Sequence, residues 1–176
     1  MYTKRMLRID SFKNTGDYLP ILSGVIITDL LVILLLIYGG IQSKMLQIWY
    51  RELTLSAVIA DVLIIVLGIT FARYIYPHIF KEYSLLKFLL VVVGVQITHD
   101  ILFYLFCTAV PRGQSRILDI FKDYGKEMGV KAIMADSLMM ISSVLLASTL
   151  KGMTLNANII LLIIAIYCVP YFIYSI

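Results

Sequence analysis

The chain has 176 residues, of which 61% are hydrophobic and 15% charged, and its formal net charge is +4. A soluble domain has nearly half apolar and about 25% charged residues, so this composition excludes an ordinary soluble fold. The spans predicted below leave no folded domain with a clustered basic face, so we expect the basic residues to contact anionic lipid headgroups and not nucleic acid.

Five apolar runs follow a short basic tail, residues 1–18. The predicted spans are 19–41, 53–75, 85–110, 131–150 and 157–176. A hydrocarbon layer about 30 Å thick needs a helix of about 20 apolar residues, and each run meets that length. Because the backbone in lipid must satisfy its own hydrogen bonds, the runs predict an all-α bundle of about five transmembrane helices. We therefore expect a multi-pass integral membrane protein with a single membrane domain, residues 19–176.

Four of the five spans carry one aspartate among apolar residues, and the third span adds a glutamine and a histidine. These residues are Asp29, Asp61, Gln96, His99, Asp100 and Asp136. An aspartate at the centre of a membrane helix costs about 2.5–3.5 kcal/mol on insertion scales, so its side chain is expected to face the bundle interior. We expect Asp100 to face the bundle centre and His99 a flank, with hydroxyls of Thr28 and Thr98 near the acids. The roughly even spacing of the aspartates also hints at an internal repeat.

Three interpretations of these polar side chains remain open. They can hold the bundle together through interhelical hydrogen bonds, conduct protons or cations, or catalyse a reaction. Catalysis is the least supported, because the chain has only two histidines and none of the common catalytic or phosphate-binding motifs. We predict no enzyme, catalytic residue, metal site or cofactor. Convergence of the acids on a wet cavity would favour transport, whereas scattered pairing with serine, threonine and backbone groups would favour packing.

Between the third and fourth spans, residues 114–128 have the pattern of an amphipathic helix. Apolar side chains recur at helical spacing at Ile117, Phe121, Tyr124 and Met128, and charged side chains fill the other side. This pattern is typical of a helix that lies in the membrane surface. The alternative is that the same face docks a protein partner.

Small residues within the spans predict close helix packing, and aromatic residues near the span ends predict a belt at the membrane surface. Ser143 and Ala147 lie one turn apart in the fourth span and are expected to let a neighbouring helix approach closely, as is Gly94. Trp49 and Tyr50 lie near a span end, where we expect them in the aromatic belt at the membrane surface.

Residues 122–148, KDYGKEMGVKAIMADSLMMISSVLLAS, resemble small multi-pass membrane proteins encoded by giant, nucleocytoplasmic large DNA viruses. Those viruses enclose a lipid membrane beneath an icosahedral capsid. The resemblance implies a structural component of the virion inner membrane that contacts minor capsid proteins or other membrane proteins, in a homo- or hetero-oligomer. The alternatives are a proton or cation channel or transporter that uses the intramembrane aspartates, and a membrane-embedded enzyme that acts on lipid.

Overall fold

Seven α-helices and one short 3-10 turn make up the part of the chain that the structure covers. A computed structural model describes residues 7–176, so residues 1–6 of the predicted basic tail lie outside the described residues. The helices are α1 (Tyr18–Ile37), α2 (Lys44–Leu53), α3 (Leu55–Ile79), α4 (Leu85–Ala109), α5 (Arg116–Met128), α6 (Val130–Leu150) and α7 (Leu155–Ile173). Residues 7–176 contain no β-strand, which confirms the all-α class.

Five of these helices, α1, α3, α4, α6 and α7, are long and apolar enough to cross a membrane. The predicted bundle of five spans is therefore confirmed, and the protein is a multi-pass membrane protein. Because successive spans cross in opposite directions, α1 and α4 finish where α3 and α6 begin. The short helices α2 and α5 join them there, so we call this end of the bundle the α2–α5 end and the opposite one the N-terminal end.

The short helix α2 is absent from the predicted elements, which place a loop there. Its ten residues are too few and too polar for a membrane span, so a search for apolar runs passes over them. Ser43 supplies the local start signal, since its side-chain oxygen accepts a hydrogen bond from the backbone N–H of Leu46. The predicted surface helix is present as α5, whose start is capped in the same way by Ser115.

The order of elements shows two copies of one unit. The first copy is α1–α2–α3 and the second is α4–α5–α6, each a span, a surface helix and a span. A single residue joins the surface helix to the next span in both copies, Thr54 with φ 49° and ψ −123° and Gly129 with φ 53° and ψ −129°. This shared left-handed link, in a region that glycine favours, supports a repeat of two three-helix units, whereas the spacing of the aspartates hints at a shorter unit of one span.

The two units also share residues when they are aligned by their elements. Asp29 corresponds to Asp100, with His99 as one extra residue in the second unit, which has one more extra residue before Gln114 and three more between Ile120 and Glu127. The further identical pairs are Gly24 and Gly94, Val25 and Val95, Ile27 and Ile97, Thr28 and Thr98, Gln42 and Gln114, Ser43 and Ser115, Leu46 and Leu118, Ile48 and Ile120, Glu52 and Glu127, Ala57 and Ala132, Ala60 and Ala135, Asp61 and Asp136, and Leu63 and Leu138. Both units start at the same end of the bundle, so the repeat is parallel.

The first and last spans of the repeat pack closely through small residues. A Cβ added to Gly24 of α1 would lie 2.9 Å from the backbone nitrogen of Ala147 and 2.9 Å from the carbonyl oxygen of Ser143, both in α6. The close approach predicted for Ser143 and Ala147 is thereby confirmed. The same expectation for Gly94 is wrong, because that glycine is exposed and a Cβ there would meet nothing within 4 Å.

The N-terminal end of the bundle is closed by the segment that precedes α1. The guanidinium of Arg73, fully buried in α3, donates to the carbonyl oxygen of Asn14 at 2.8 Å and to a carboxylate oxygen of Asp17 at 3.2 Å. The ammonium of Lys151 lies 2.6 Å from the other oxygen of Asp17. Ile9 of the same segment has no exposed surface. Charge pairing and burial together hold this segment across the end of the bundle.

Replacing Gly24 with alanine should destabilise the protein by about 1–3 kcal/mol, because the added methyl group overlaps backbone atoms of α6 that cannot move independently. Thermal unfolding in detergent, followed by helical circular dichroism, measures the change. Gly94→Ala is the matched control at the equivalent position of the repeat. It should leave stability unchanged or raise it by up to about 1 kcal/mol, since alanine is the better helix former. Equal effects of the two substitutions would contradict this description of the α1–α6 contact.

Candidate functional site

A cavity of about 1240 Å³ lies inside the α2–α5 end of the bundle. Residues of α1, α3, α4 and α6 line it, and α2 and α5 complete its wall at the membrane surface. The lining residues farthest from this end are Thr28, Ile65, Gln96 and Ser142, one on each of the four spans. The cavity therefore occupies one half of the bundle and stops before the N-terminal end.

The intramembrane aspartates lie at a similar depth. All four are about 9–14 Å from the end of their own helix that is nearest to α2 and α5, at 1.5 Å per residue. Asp61, Gln96, His99, Asp100 and Asp136 line the cavity, and so do Ile117, Phe121, Tyr124 and Met128 of α5. Asp29 is fully buried and is not part of the lining. The fold thus brings together nine of the ten residues that the sequence singles out.

Two aromatic side chains of α2 donate hydrogen bonds to the acids of the first unit. The indole N–H of Trp49 donates to Asp61 at 2.9 Å, and the hydroxyl of Tyr50 donates to Asp29 at 2.8 Å. Trp49 and Tyr50 are both buried, so the prediction that they belong to the membrane-surface belt is wrong. Burial raises the pKa of the Tyr50 phenol, and the carboxylates of Asp61 and Asp29 raise it further, which keeps the phenol a donor.

The third acid is held within its own helix. The Gln96 amide nitrogen donates to Asp100 Oδ1 at 2.6 Å, and His99 Nδ1 lies 3.3 Å from the same oxygen. The Asp100 side chain is 15% exposed and that of His99 is 36% exposed, in line with the expected central and flanking orientations. The His99 ring stacks on Phe103 at 5.6 Å. Asp100 Oδ2 is buried and has no hydrogen-bond partner among the described residues.

The hydroxyls of the threonines next to the acids do not donate hydrogen bonds to them. The hydroxyl of Thr28 donates to the Gly24 carbonyl at 2.9 Å, and that of Thr98 donates to the Gly94 carbonyl at 2.8 Å. Such a bond to the preceding turn of the same helix competes with any bond to a side chain. The expectation that these hydroxyls support Asp29 and Asp100 is therefore wrong.

Asp136 lies near Tyr124 in the wall formed by the second unit. Burial raises the pKa of the Tyr124 phenol, and the carboxylates of Asp136, Asp61 and Asp100 raise it further. The pKa of Tyr124 is thus raised by three cavity carboxylates, one each from α3, α4 and α6. The phenol stays protonated and can donate a hydrogen bond into this group.

The carboxyl groups around the cavity have no lysine or arginine beside them in the described chain. Over residues 7–176, none of the four aspartates forms an ion pair with a lysine or an arginine. The described lining also contains no lysine or arginine side chain, although it contains three aspartates. No three His, Cys, Asp or Glu side chains in the described chain lie close enough together to hold a metal ion. The carboxylates are therefore distributed around the cavity wall and not gathered at one point.

The two surface helices are joined side by side and run in opposite directions. Glu127, near the end of α5, accepts hydrogen bonds from the backbone N–H groups of Lys44 and Met45 at 2.7 Å each, at the start of α2. At the other end, Arg116 of α5 pairs with Glu52 of α2. Between these ends the ring of Phe121 packs against that of Trp49, with centroids 4.7 Å apart. This antiparallel pair places the apolar face of α5 over the cavity.

Trp49 and Tyr50 are site residues that the sequence pattern assigned to the membrane-surface belt, and Phe103 and Tyr104 are site residues that it did not single out. Two signals point to the first two: the amphipathic spacing of residues 44–53, and the alignment of that segment with α5. Comparison of the whole chain with protein-family models, curated proteins and solved structures finds no match. The site is an apolar and aromatic chamber whose aspartates have no lysine or arginine partner in the described chain.

Removing the indole donor should destabilise the α2–α5 end. Trp49→Phe keeps an aromatic ring but leaves Asp61 without its donor, and a buried acceptor left unsatisfied costs about 1–3 kcal/mol. Chemical unfolding in detergent, followed by circular dichroism, measures the loss. The same substitution in an Asp61→Ala background isolates the hydrogen bond from the change in ring size, and should cost less there. An equal cost in both backgrounds would show that the bond contributes nothing.

Proposed function

We propose that this membrane protein binds a cation in its acid-lined cavity and carries it across the membrane. The observation that carries the proposal is the convergence of Asp61, Asp100 and Asp136, from three different spans, on one cavity without a lysine or arginine in its described lining. Charged side chains within the hydrocarbon layer are costly and commonly mark ion or substrate pathways. A bound cation would supply the charge partner that the cavity wall lacks.

The depth of the cavity favours a carrier over an open channel. The lining ends halfway through the bundle, and the segment held by Arg73 and Asp17 closes the N-terminal end. A carrier exposes its site to one side at a time, so a cavity that is closed towards one end fits one such state. Passage to the other side would require the two units of the repeat to move relative to each other.

The position of the cavity within the repeat supports the same function. Its walls come from both units, with α1 and α3 on one part and α4 and α6 on the other. Transporters built from structural repeats commonly place their substrate site at the interface between repeats. A bundle held only by interhelical hydrogen bonds would not require its acids to share one cavity.

The proposal is tested with the purified protein in liposomes. Uptake of protons, rubidium and tetraphenylphosphonium is measured against liposomes without protein, and at least one of these cations should enter faster with the protein present. Asp136→Asn should lower that rate at least about tenfold, because it removes a charge partner from the site. Asp123→Asn is the matched control, since Asp123 pairs with Arg112 on the surface and lies outside the cavity.

Two outcomes would overturn the proposal. One is uptake of none of these cations above the level of empty liposomes. The other is uptake that Asp61→Asn, Asp100→Asn and Asp136→Asn all leave unchanged. Each variant is first checked by circular dichroism and gel filtration, so that a folding defect is not counted as a loss of transport.

A structural role in the inner membrane of a virus particle stays a prediction, and it rests on the resemblance over residues 122–148. That segment contains the end of α5, the Gly129 link and Asp136, so it forms part of the cavity wall. If the gene is viral, mass spectrometry of purified particles should detect the protein in the membrane fraction. Absence from the particles would count against this role and leave cation carriage untouched.

A further inference from the structure

We infer that the ligand of the cavity is an amphiphilic organic cation, with a charged nitrogen or phosphorus centre on a bulky apolar or aromatic body. This inference rests on the proposed function for the location of the site and adds the chemical class of what binds there. Four features of the cavity favour this class of ligand: its size, its aromatic wall, the placement of its carboxylates and its apolar rim.

The size of the cavity suits an organic molecule. Pockets that hold drug-sized molecules enclose about 300–1,000 Å³. At about 1240 Å³ the cavity lies just above that range, so an organic molecule of this size can be enclosed. A proton or a bare alkali cation would leave nearly all of this space to be filled by something else.

The wall of the cavity is largely apolar and aromatic. Apolar side chains predominate, and six aromatic residues of α2, α4 and α5 lie among them: Trp49, Tyr50, Phe103, Tyr104, Phe121 and Tyr124. Trp49, Phe121 and Phe103 form a connected group, with the Phe103 and Phe121 centroids 5.0 Å apart. Aromatic faces attract organic cations through the ring quadrupole and also pack against apolar bodies. An inorganic cation would instead favour a shell of oxygen ligands.

The carboxylates of the cavity are separated from one another. Asp61, Asp100 and Asp136 project from three spans and do not form a group that could hold a metal ion over the described chain. Asp100 Oδ2 is buried without a hydrogen-bond partner among the described residues, and the fully buried Asp29 behind Tyr50 also has one unpartnered oxygen. Separated carboxylates with free acceptor positions suit the diffuse charge of an organic cation better than a compact metal ion.

The rim of the cavity is apolar. Several apolar lining residues of the spans have about half or more of their surface exposed: Leu31, Leu35, Ile101, Leu105 and Leu138. Such a rim gives an apolar body a route from the bilayer into the cavity. A strongly hydrated inorganic ion would gain nothing from that route.

Tetraphenylphosphonium and tetraphenylborate provide the test, because they have nearly the same shape and opposite charge. Trp49 is the only tryptophan of the chain and lies in the cavity wall, so its fluorescence reports directly on occupancy. Titration of the purified full chain in detergent with tetraphenylphosphonium should give a saturable change in Trp49 fluorescence. Tetraphenylborate should give none at the same concentrations.

The carboxylate variants establish where the cation binds. Asp100→Asn and Asp136→Asn should each weaken tetraphenylphosphonium binding at least about tenfold, and the surface control Asp123→Asn should leave it unchanged. Equilibrium dialysis with radiolabelled tetraphenylphosphonium gives a second readout that does not depend on Trp49. Two variants on different helices are used so that a folding defect in one still leaves a test.

The outcomes separate this inference from the proposed function. Transport of protons or rubidium without tetraphenylphosphonium binding would overturn the inference and leave cation carriage standing. Saturable, carboxylate-dependent tetraphenylphosphonium binding without uptake of any cation would support the inference and overturn carriage. Equal binding of the phosphonium and the borate would mean simple partition into the apolar wall, and would overturn the inference.

Discussion

The α2–α5 end of the bundle depends on two hydrogen bonds. Trp49 and Tyr50 donate them to carboxylates inside the bundle. A carboxylate within the spans is costly unless a donor reaches it. Here the donors come from a surface helix, so satisfying Asp61 and Asp29 also fixes where α2 lies. The position of α2 then sets that of α5, through the ring of Phe121 and through Glu127 at the start of α2. The need of these two carboxylates for hydrogen-bond donors thus determines where the helices of the cavity wall lie.

The two units of the repeat have diverged in how their acids are hydrogen-bonded and in how their spans pack. The acids of the first unit receive donors from Trp49 and Tyr50, whereas Asp100 receives only Gln96 and the nearby His99 from its own helix. The packing differs as well, since the first unit approaches α6 closely at Gly24 and the equivalent Gly94 remains open. The repeat places the acids at one depth, and its divergence leaves Asp100 without a donor from a surface helix.

The intramembrane carboxylates do not stabilise the bundle in the way that apolar residues would. Apolar residues in place of the acids would remove a desolvation cost from the bundle, and nothing in the packing of the spans requires a negative charge at Asp100 or Asp136. Departures from local rules of stability are expected at functional sites, where other contacts compensate for them. In this protein the compensation lies at the far end, where buried Arg73 with Asp17 and the close α1–α6 contact hold the bundle together.

The sequence by itself determined the five spans, the surface helix α5 and the identity of most of the polar residues. These features follow from the length of apolar runs and from helical spacing, which are local properties. The sequence pattern did not predict α2, because ten mixed residues carry no membrane signal, and it placed Trp49 and Tyr50 in the lipid interface. It also assigned Thr28 and Thr98 to the acids, although each hydroxyl bonds to its own helix.

Only the tertiary structure decided which acids share a space. Lipid is as apolar as the interior of a bundle, so the faces of a membrane helix that meet lipid and protein are similarly hydrophobic. The direction in which Asp61, Asp100 or Asp136 points therefore depends on how the spans pack, which no single segment encodes. That packing depends on contacts distant in the chain, such as Gly24 against Ala147 and Glu127 against Lys44. The polar residues were visible in the sequence, and their convergence on one cavity arose from the fold.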